Sequence, residues 1–299
     1  MKTGRDTRYG NIMEVATSEV VTVPPTSTIM SALKTMVAYR FRRIPVADAG
    51  SKRFLGLLVA MDLIDFFGGG RKHGIVLKHK GNLIIAVNEE VEEIMEKEVV
   101  TVDISESWMD ALEVMLSKDV SYCPVLDKER VAGIITERDM LELLTAKKPV
   151  LKKPYVFDGM TTDVASIMTK SVITIEPAAT IGNAMKTMID KKIRRLPVIT
   201  DGVFVGLITD RDILRYFGGE AFKMILTGNV NEILEKPISV MLSKEFLVHK
   251  EPLIISPAAT ASEVAEKMVA QGHGAALILS DGSLEGIITE KDLMQLVRL

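Results

Sequence analysis

Four aspartates, Asp62, Asp139, Asp212 and Asp292, stand six residues after Gly56, Gly133, Gly206 and Gly286, and the last three also follow Thr136, Thr209 and Thr289 by three residues. A carboxylate so placed can accept both hydroxyls of a ribose. It can equally be structural, because Thr-x-x-Asp ahead of an apolar run caps a helix, the Thr closing the first turn and the Asp favouring its positive end. In the first copy Val59 replaces the Thr while Asp62 remains, and capping alone does not require that Asp. Other chemistry is scarce. Cys123 is the only cysteine, so neither an intrachain disulfide nor a cysteine-rich metal site can form. His73, His79, His249 and His273 show no metal-ligand spacing and read as surface or turn residues. There is no Walker P-loop, no HExxH and no Ser-His-Asp set with supporting context, so no catalytic and no metal-binding residue is expected.

The aspartates belong to a repeat. Thr22, Thr101 and Thr174 each precede a proline by 23 residues (Pro45, Pro124, Pro197), the fourth copy keeps that spacing with Ile254 and Leu277, and the glycines recur at intervals of 73 to 80 residues. In each copy a cap residue (Thr28, Ser107, Thr180, Thr260) opens an amphipathic helix, and Asp110 and Glu263 complete capping boxes in two of them. Apolar residues fall on one helical face, Ile29, Leu33, Met36 and Val37 in the first copy and Ile181, Met185, Met188 and Ile189 in the third; these methionines are core. A short strand, a polar turn such as Asp201-Gly202, a second strand and a second helix at the Thr-x-x-Asp follow. The fold class is therefore α/β, of the α+β type: four tandem units of strand-helix-strand-strand-helix. One small sheet with helices on one side must have its other face covered, so the units pair.

Phe66-Phe67-Gly68-Gly69 matches Tyr216-Phe217-Gly218-Gly219 at a distance of 150 residues, and Arg42-Arg43 matches Arg194-Arg195 at 152. A pair of units was thus duplicated. The expected organisation is a tail at 1–10, units at 11–70, 93–146, 161–220 and 237–299, connectors at 71–92 and 221–236, and a polar linker at 147–160 that keeps the halves apart. The length of 299 residues leaves no room for a further catalytic domain. Net charge of −3 lacks the footprint of a nucleic-acid binder. Apolar runs such as Leu83 to Val87 are too short to cross a bilayer, and Met1 to Asn11 lacks the apolar stretch of a signal peptide, so no membrane association and a cytoplasmic location are expected.

Gly206-Leu207-Ile208-Thr209-Asp210-Arg211-Asp212 after Arg195-Leu196-Pro197-Val198, with its relatives in the other copies, resembles the signature of the cystathionine-β-synthase-type (CBS) domain, over nearly all of the chain. The four-copy arrangement is similar to the γ regulatory subunits of AMP-activated protein kinases and to many prokaryotic proteins. The resemblance implies two sheet-packed pairs whose clefts bind AMP, ADP, ATP or related adenosyl compounds. It implies that Asp62, Asp139, Asp212 and Asp292 take ribose, and that Thr136, Thr209 and Thr289 reach towards phosphate. The basic pairs Arg42-Arg43 and Arg194-Arg195, otherwise readable as a solvated charge run, would contact phosphate, for which guanidinium geometry is suited. The second and fourth copies carry Ser121-Tyr122 and Gly274-Ala275 there, so each pair draws its arginines from one unit. Helix N-termini beside Arg138, Arg211 and Lys291 would add amide donors. The third copy is the most complete, with Thr174, Arg194, Arg195, Thr209 and Asp212; with Thr22 and Thr101 these make the candidate ligand set, and fewer than four sites are expected to fill. Arg42 and Arg43 should serve ligands of the first pair only. The function implied is regulatory rather than enzymatic: an adenine nucleotide is the regulatory ligand, no other cofactor is needed, and the reader is a protein partner or a second copy. A dimerisation scaffold with empty clefts and an S-adenosylmethionine binder are the alternatives.

Overall fold

A computed structural model describes residues 10–145, 158–228, 230–242 and 251–296. Most of the expected tail, residue 146 at the end of the expected second unit and residues 147–157 of the expected linker lie outside the described residues.

In the first unit α1 (Ile29–Tyr39) leads to the hairpin β1 (Arg43–Ala47) and β2 (Phe54–Val59), and α2 (Ala60–Phe67) closes it. The second unit has β3 (Val102–Asp103), α3 (Trp108–Ser117), β4 (Tyr122–Asp127), β5 (Arg130–Thr136) and α4 (Glu137–Leu144). The third has α5 (Ile181–Lys191), β6 (Arg195–Thr200), β7 (Val203–Thr209) and α6 (Asp210–Gly218); the fourth has β8 (Ile254–Ile255), α7 (Ala261–Gln271), β9 (Ala275–Ser280), β10 (Ser283–Thr289) and α8 (Glu290–Met294). The leading strands of the first and third units are reduced to single parallel bridges, Val23 with Val46 and Ile175 with Val198.

Local chemistry explains these elements. The Thr28 and Thr180 hydroxyls accept the Ser31 and Asn183 amides at 3.1 Å and start α1 and α5. Asp201 at φ 49° and Gly202 at φ 80° form the two-residue turn between β6 and β7, and their left-handed backbone matches the twist of the hairpin. Met36, Met185 and Met188 are buried on the apolar faces of their helices.

The units pair through their sheets as expected. Strands of the third and fourth join into one five-stranded sheet in the order β6-β7-β10-β9-β8. In the first half Phe54 N–H donates to Glu129 O at 2.7 Å and an antiparallel bridge joins Arg53 to Arg130. Each pair also exchanges leading segments. Ile12 and Val15, ahead of the first unit, are buried with Trp108 of the second, where Ile12 N–H donates to Glu106 O at 3.1 Å. Reciprocally, Glu96 exchanges backbone hydrogen bonds with Leu57 of the first unit.

The halves are not separate. The face left bare by sheet pairing is helical and apolar, and burying it is the only way to keep it from water. Phe67 of α2 meets Phe217 of α6 with ring centroids 4.6 Å apart. One hydrophobic cluster runs from Ile29, Leu33 and Phe66 of the first unit to Met185, Ile213 and Phe217 of the third. On the other side Met294 of α8 packs in the Trp108 cluster and Leu141 of α4 among Val264 and Met268 of α7. Sheets join units one to two and three to four, and helices join one to three and two to four. The expectation that the linker isolates the halves is corrected accordingly.

Among the described residues no helix is long and apolar enough to cross a membrane, and no group of His, Cys, Asp or Glu could hold a metal ion.

Candidate functional site

Hairpin register places each arginine pair beside a helix start. Arg195 lies opposite Thr209, Arg43 opposite Val59, Tyr122 opposite Thr136 and Ala275 opposite Thr289. The first amide of the helix then returns to the strand: Asp210 N–H donates to Arg194 O at 3.0 Å and Ala60 N–H to Arg42 O at 2.8 Å. The bonding pattern of two short elements therefore delivers the basic pair, the Thr and the Asp to one place.

Each Thr-x-x-Asp is a complete cap. Asp212 Oδ2 accepts Thr209 N–H at 2.9 Å and the Thr209 hydroxyl at 2.6 Å, and Asp139 and Asp292 do the same with Thr136 and Thr289. The Thr hydroxyl proton is thereby committed to the carboxylate. The cap holds the Asp212 side chain in one rotamer, and its other oxygen, Oδ1, lies 3.9 Å from Arg215 Nη2. Burial raises the Asp212 carboxyl above its ordinary value against the pull of the Thr209 bonds.

Thr209, Asp212, Arg194, Arg195, Arg211, Arg42, Arg43, Arg138 and Thr136 line a central cavity of about 1620 Å³. Its wall draws on all four units. Arg42 Nε of the first unit lies 3.5 Å from Asp210 Oδ1 of the third, so Arg42 serves the same cavity as Arg194, not a separate first-pair site. Arg138 Nε of the second is 2.7 Å from Glu290 Oε1 of the fourth, and its Nη1 donates to Met268 O at 2.8 Å. Arg43 lies over the Tyr122 ring, 4.2 Å from its centroid. Arg195 passes over Gly274, where a Cβ would sit 2.6 Å from Nη2; the small residue of the fourth copy makes room for the arginine of the third.

The remaining candidates lie elsewhere. Thr22 and Thr101 are half-buried and do not line the cavity, and neither do Asp139 and Asp292. Thr174 borders a separate surface depression of about 490 Å³ with Glu176, Asn183, Lys186 and Asp190. Lys291 pairs with Asp119 of the second unit at 2.6 Å. Asp62 is buried: Oδ2 accepts Val59 N–H at 2.7 Å, and Oδ1 meets Lys72.

Sequence reasoning missed the second residue of the motif. Glu137 and Glu290 are buried acids that line the cavity, Asp210 is fully buried against Arg42, and the signal was present, since only the first copy has an apolar residue, Ala60, there. Burial by itself would push the Asp210 carboxyl up, but Arg42, Arg194, Arg195 and Arg211 together hold it below the ordinary carboxylate range. Burial and the like charges of Arg42 and Arg194 lower the Arg195 guanidinium to about 9, and burial followed by Arg194 lowers Arg43 to about 10. Among the described residues, Arg195 Nη2 and Asp210 Oδ2 are buried without hydrogen-bond partners. Desolvated like charges with an unpartnered donor make a place that an anion would stabilise.

The CBS-domain family model matches residues 12–69, 91–146, 164–219 and 244–299, the four units of the fold. The chain belongs to the CBS-domain family. It is 34% identical over 96% of its length to an uncharacterised protein, MJ1225 of Methanocaldococcus jannaschii, 99% of which is covered. The crystal structure of MJ1225, described as a candidate archaeal homologue of γ-AMPK, superposes with a TM-score of 0.84 at 33% identity, covering 95% of this chain and 99% of that one. A conserved protein from Pyrococcus horikoshii shares the fold at a TM-score of 0.57 and 18% identity, over 96% of this chain and 100% of that one.

Proposed function

We propose that this CBS-domain chain is a regulatory sensor of adenine nucleotides that holds the phosphates in its central cavity and passes the occupied state to a protein partner or a second copy. The reading is supported above all by the cavity: it combines arginines from three units with Asp212 and, beside them, an apolar wall of Val205, Leu207, Leu253, Ile254 and Leu277. The apolar wall suits a base, the Asp212 carboxylate a ribose and the arginines a phosphate. The likeness to MJ1225 supports the same reading. S-Adenosylmethionine fits less well, because its sulfonium would face arginines that already repel one another. On this reading the chain regulates rather than catalyses, and the nucleotides concerned are those of the cytoplasm.

If nucleotide binds the folded chain, it raises the melting temperature by linkage. Ligand at a hundredfold excess over its Kd stabilises by about 2.7 kcal/mol, or roughly 5 °C for a chain of this size. Differential scanning calorimetry with millimolar AMP, ADP or ATP measures this. An unmoved transition with all three returns the chain to the scaffold reading.

A further inference from the structure

The repeat's aspartate is already engaged in the first unit. Lys72 lies in the turn Arg71–His73 that follows α2, and its ammonium meets Asp62 Oδ1 and stands 2.7 Å from Glu96 Oε1. The Lys72 side chain is 10% exposed and that of Asp62 6%, whereas the equivalent Asp212 keeps 20% and opens on the central cavity. The turn that carries Lys72 is built, not loose. Gly69, at φ 85°, reverses the chain after α2. Gly70 N–H then donates to Asp65 O at 3.0 Å, the Lys72 amide is held by the Asp65 carboxylate, and His73 Nδ1 bonds Phe66 O at 2.8 Å. These anchors remove the backbone freedom that a connector would otherwise have to lose before its lysine could reach Asp62.

The third unit supplies an internal control. Counting from the matched Phe-Gly-Gly segments, Phe222 stands where Lys72 does, and it packs beneath the Lys34 ammonium at 4.3 Å from the ring centroid. No lysine from that connector reaches Asp212 among the described residues, whose ion-pair neighbour is Arg215 of its own helix. The same aspartate is thus covered in one copy and opens on the cavity in the other, and the connector residue at the matched position is Lys72 in the first unit and Phe222 in the third. An ammonium with three donors makes the hydrogen bonds that ligand hydroxyls would otherwise make to the carboxylate.

We infer that Lys72 is a built-in occupant of the first cleft, standing where a ligand's hydroxyls would bind Asp62, and that it keeps nucleotide from the first copy of the repeat. This rests on the nucleotide reading given above. Glu96 belongs to the segment leading into the second unit, so the lysine also ties the two units of the first pair across that cleft.

Calorimetric titration of the full chain with AMP, read as binding stoichiometry, tests this. Asp62→Asn is expected to leave the wild-type stoichiometry and affinity unchanged, since that carboxylate is not available to ligand. Lys72→Ala is expected to bind one equivalent more than wild type, and adding Asp62→Asn to it should remove the gain. Lys72→Met, which keeps the apolar stem, gives the same reading if the alanine variant does not fold. Loss of one equivalent in Asp62→Asn, or wild-type stoichiometry in a folded Lys72 variant, overturns the inference. A wild-type chain that binds no AMP, with Asp212→Asn equally inert, overturns the nucleotide reading instead; the Lys72 comparison stays readable because its gain is counted against wild type.

Discussion

Exchange of Arg194 and Arg195 for Gln is expected to weaken AMP and ATP strongly while leaving adenosine, which lacks phosphate, nearly unaffected. Each lost charge-assisted contact is worth about 1.5–3 kcal/mol, or roughly 10- to 150-fold in affinity. Arg195 offers a buried Nη2 without a hydrogen-bond partner among the described residues, so an anion there gains a donor that water does not reach. Arg42→Gln should weaken the same ligands, although Arg42 lies in the other half of the chain, because its guanidinium shares Asp210 with the third unit. Isothermal titration of each variant with AMP and with adenosine separates the outcomes. Equal losses for both ligands would mean damage to the fold, and unchanged AMP affinity would remove the arginines from the site.

The second large effect concerns the seam between halves. Phe67→Ala or Phe217→Ala removes a ring from the centre of the cluster shared by the first and third units, and such truncations cost about 3–5 kcal/mol. Tyr39→Ala, at a position 60% exposed, should change stability by no more than about 0.5 kcal/mol. Because the cluster joins the halves, the loss should lower one cooperative transition rather than split it. The chain's single tryptophan makes this measurable. Trp108 is buried in the second unit, far in sequence from both rings, so its fluorescence reports on a unit the substitution does not touch. In urea, fluorescence and far-ultraviolet circular dichroism are expected to shift together. A Trp108 midpoint that stays at its wild-type value in Phe217→Ala, whose ring lies in the other half, while the dichroism splits would show that the halves unfold independently.

Much of this architecture was legible from residues close together in the chain. The cap residues Thr28, Ser107, Thr180 and Thr260 do start helices, Asp201-Gly202 does turn a hairpin, and the methionines of α1 and α5 are core. The capping reading of Thr-x-x-Asp is borne out: in Asp212 one carboxylate oxygen completes the cap, and the other lies towards Arg215. Less was legible of the site. The buried acids Glu137, Asp210 and Glu290 stood in the repeat in plain view, but nothing in a string of residues says that an exposed-looking Asp-Arg, Glu-Arg or Glu-Lys will be desolvated.

Four units, their paired ancestry and the local geometry of each motif are written along the chain, because caps, turns and amphipathic faces depend on residues within one or two helical turns of each other. Which unit meets which is settled only when the chain closes in three dimensions. It set Arg42 beside Asp210, Arg138 beside Glu290, Ile12 beside Trp108 and Lys72 against Asp62. The physical reason is that an apolar helix face records that it must be buried, and a charge that it must be paired or solvated, but neither records its partner. The partner is selected only when whole sheets and helix faces close on one another, and that closure brought the arginines of three units to one cavity and shut the first cleft with a lysine of the chain's own.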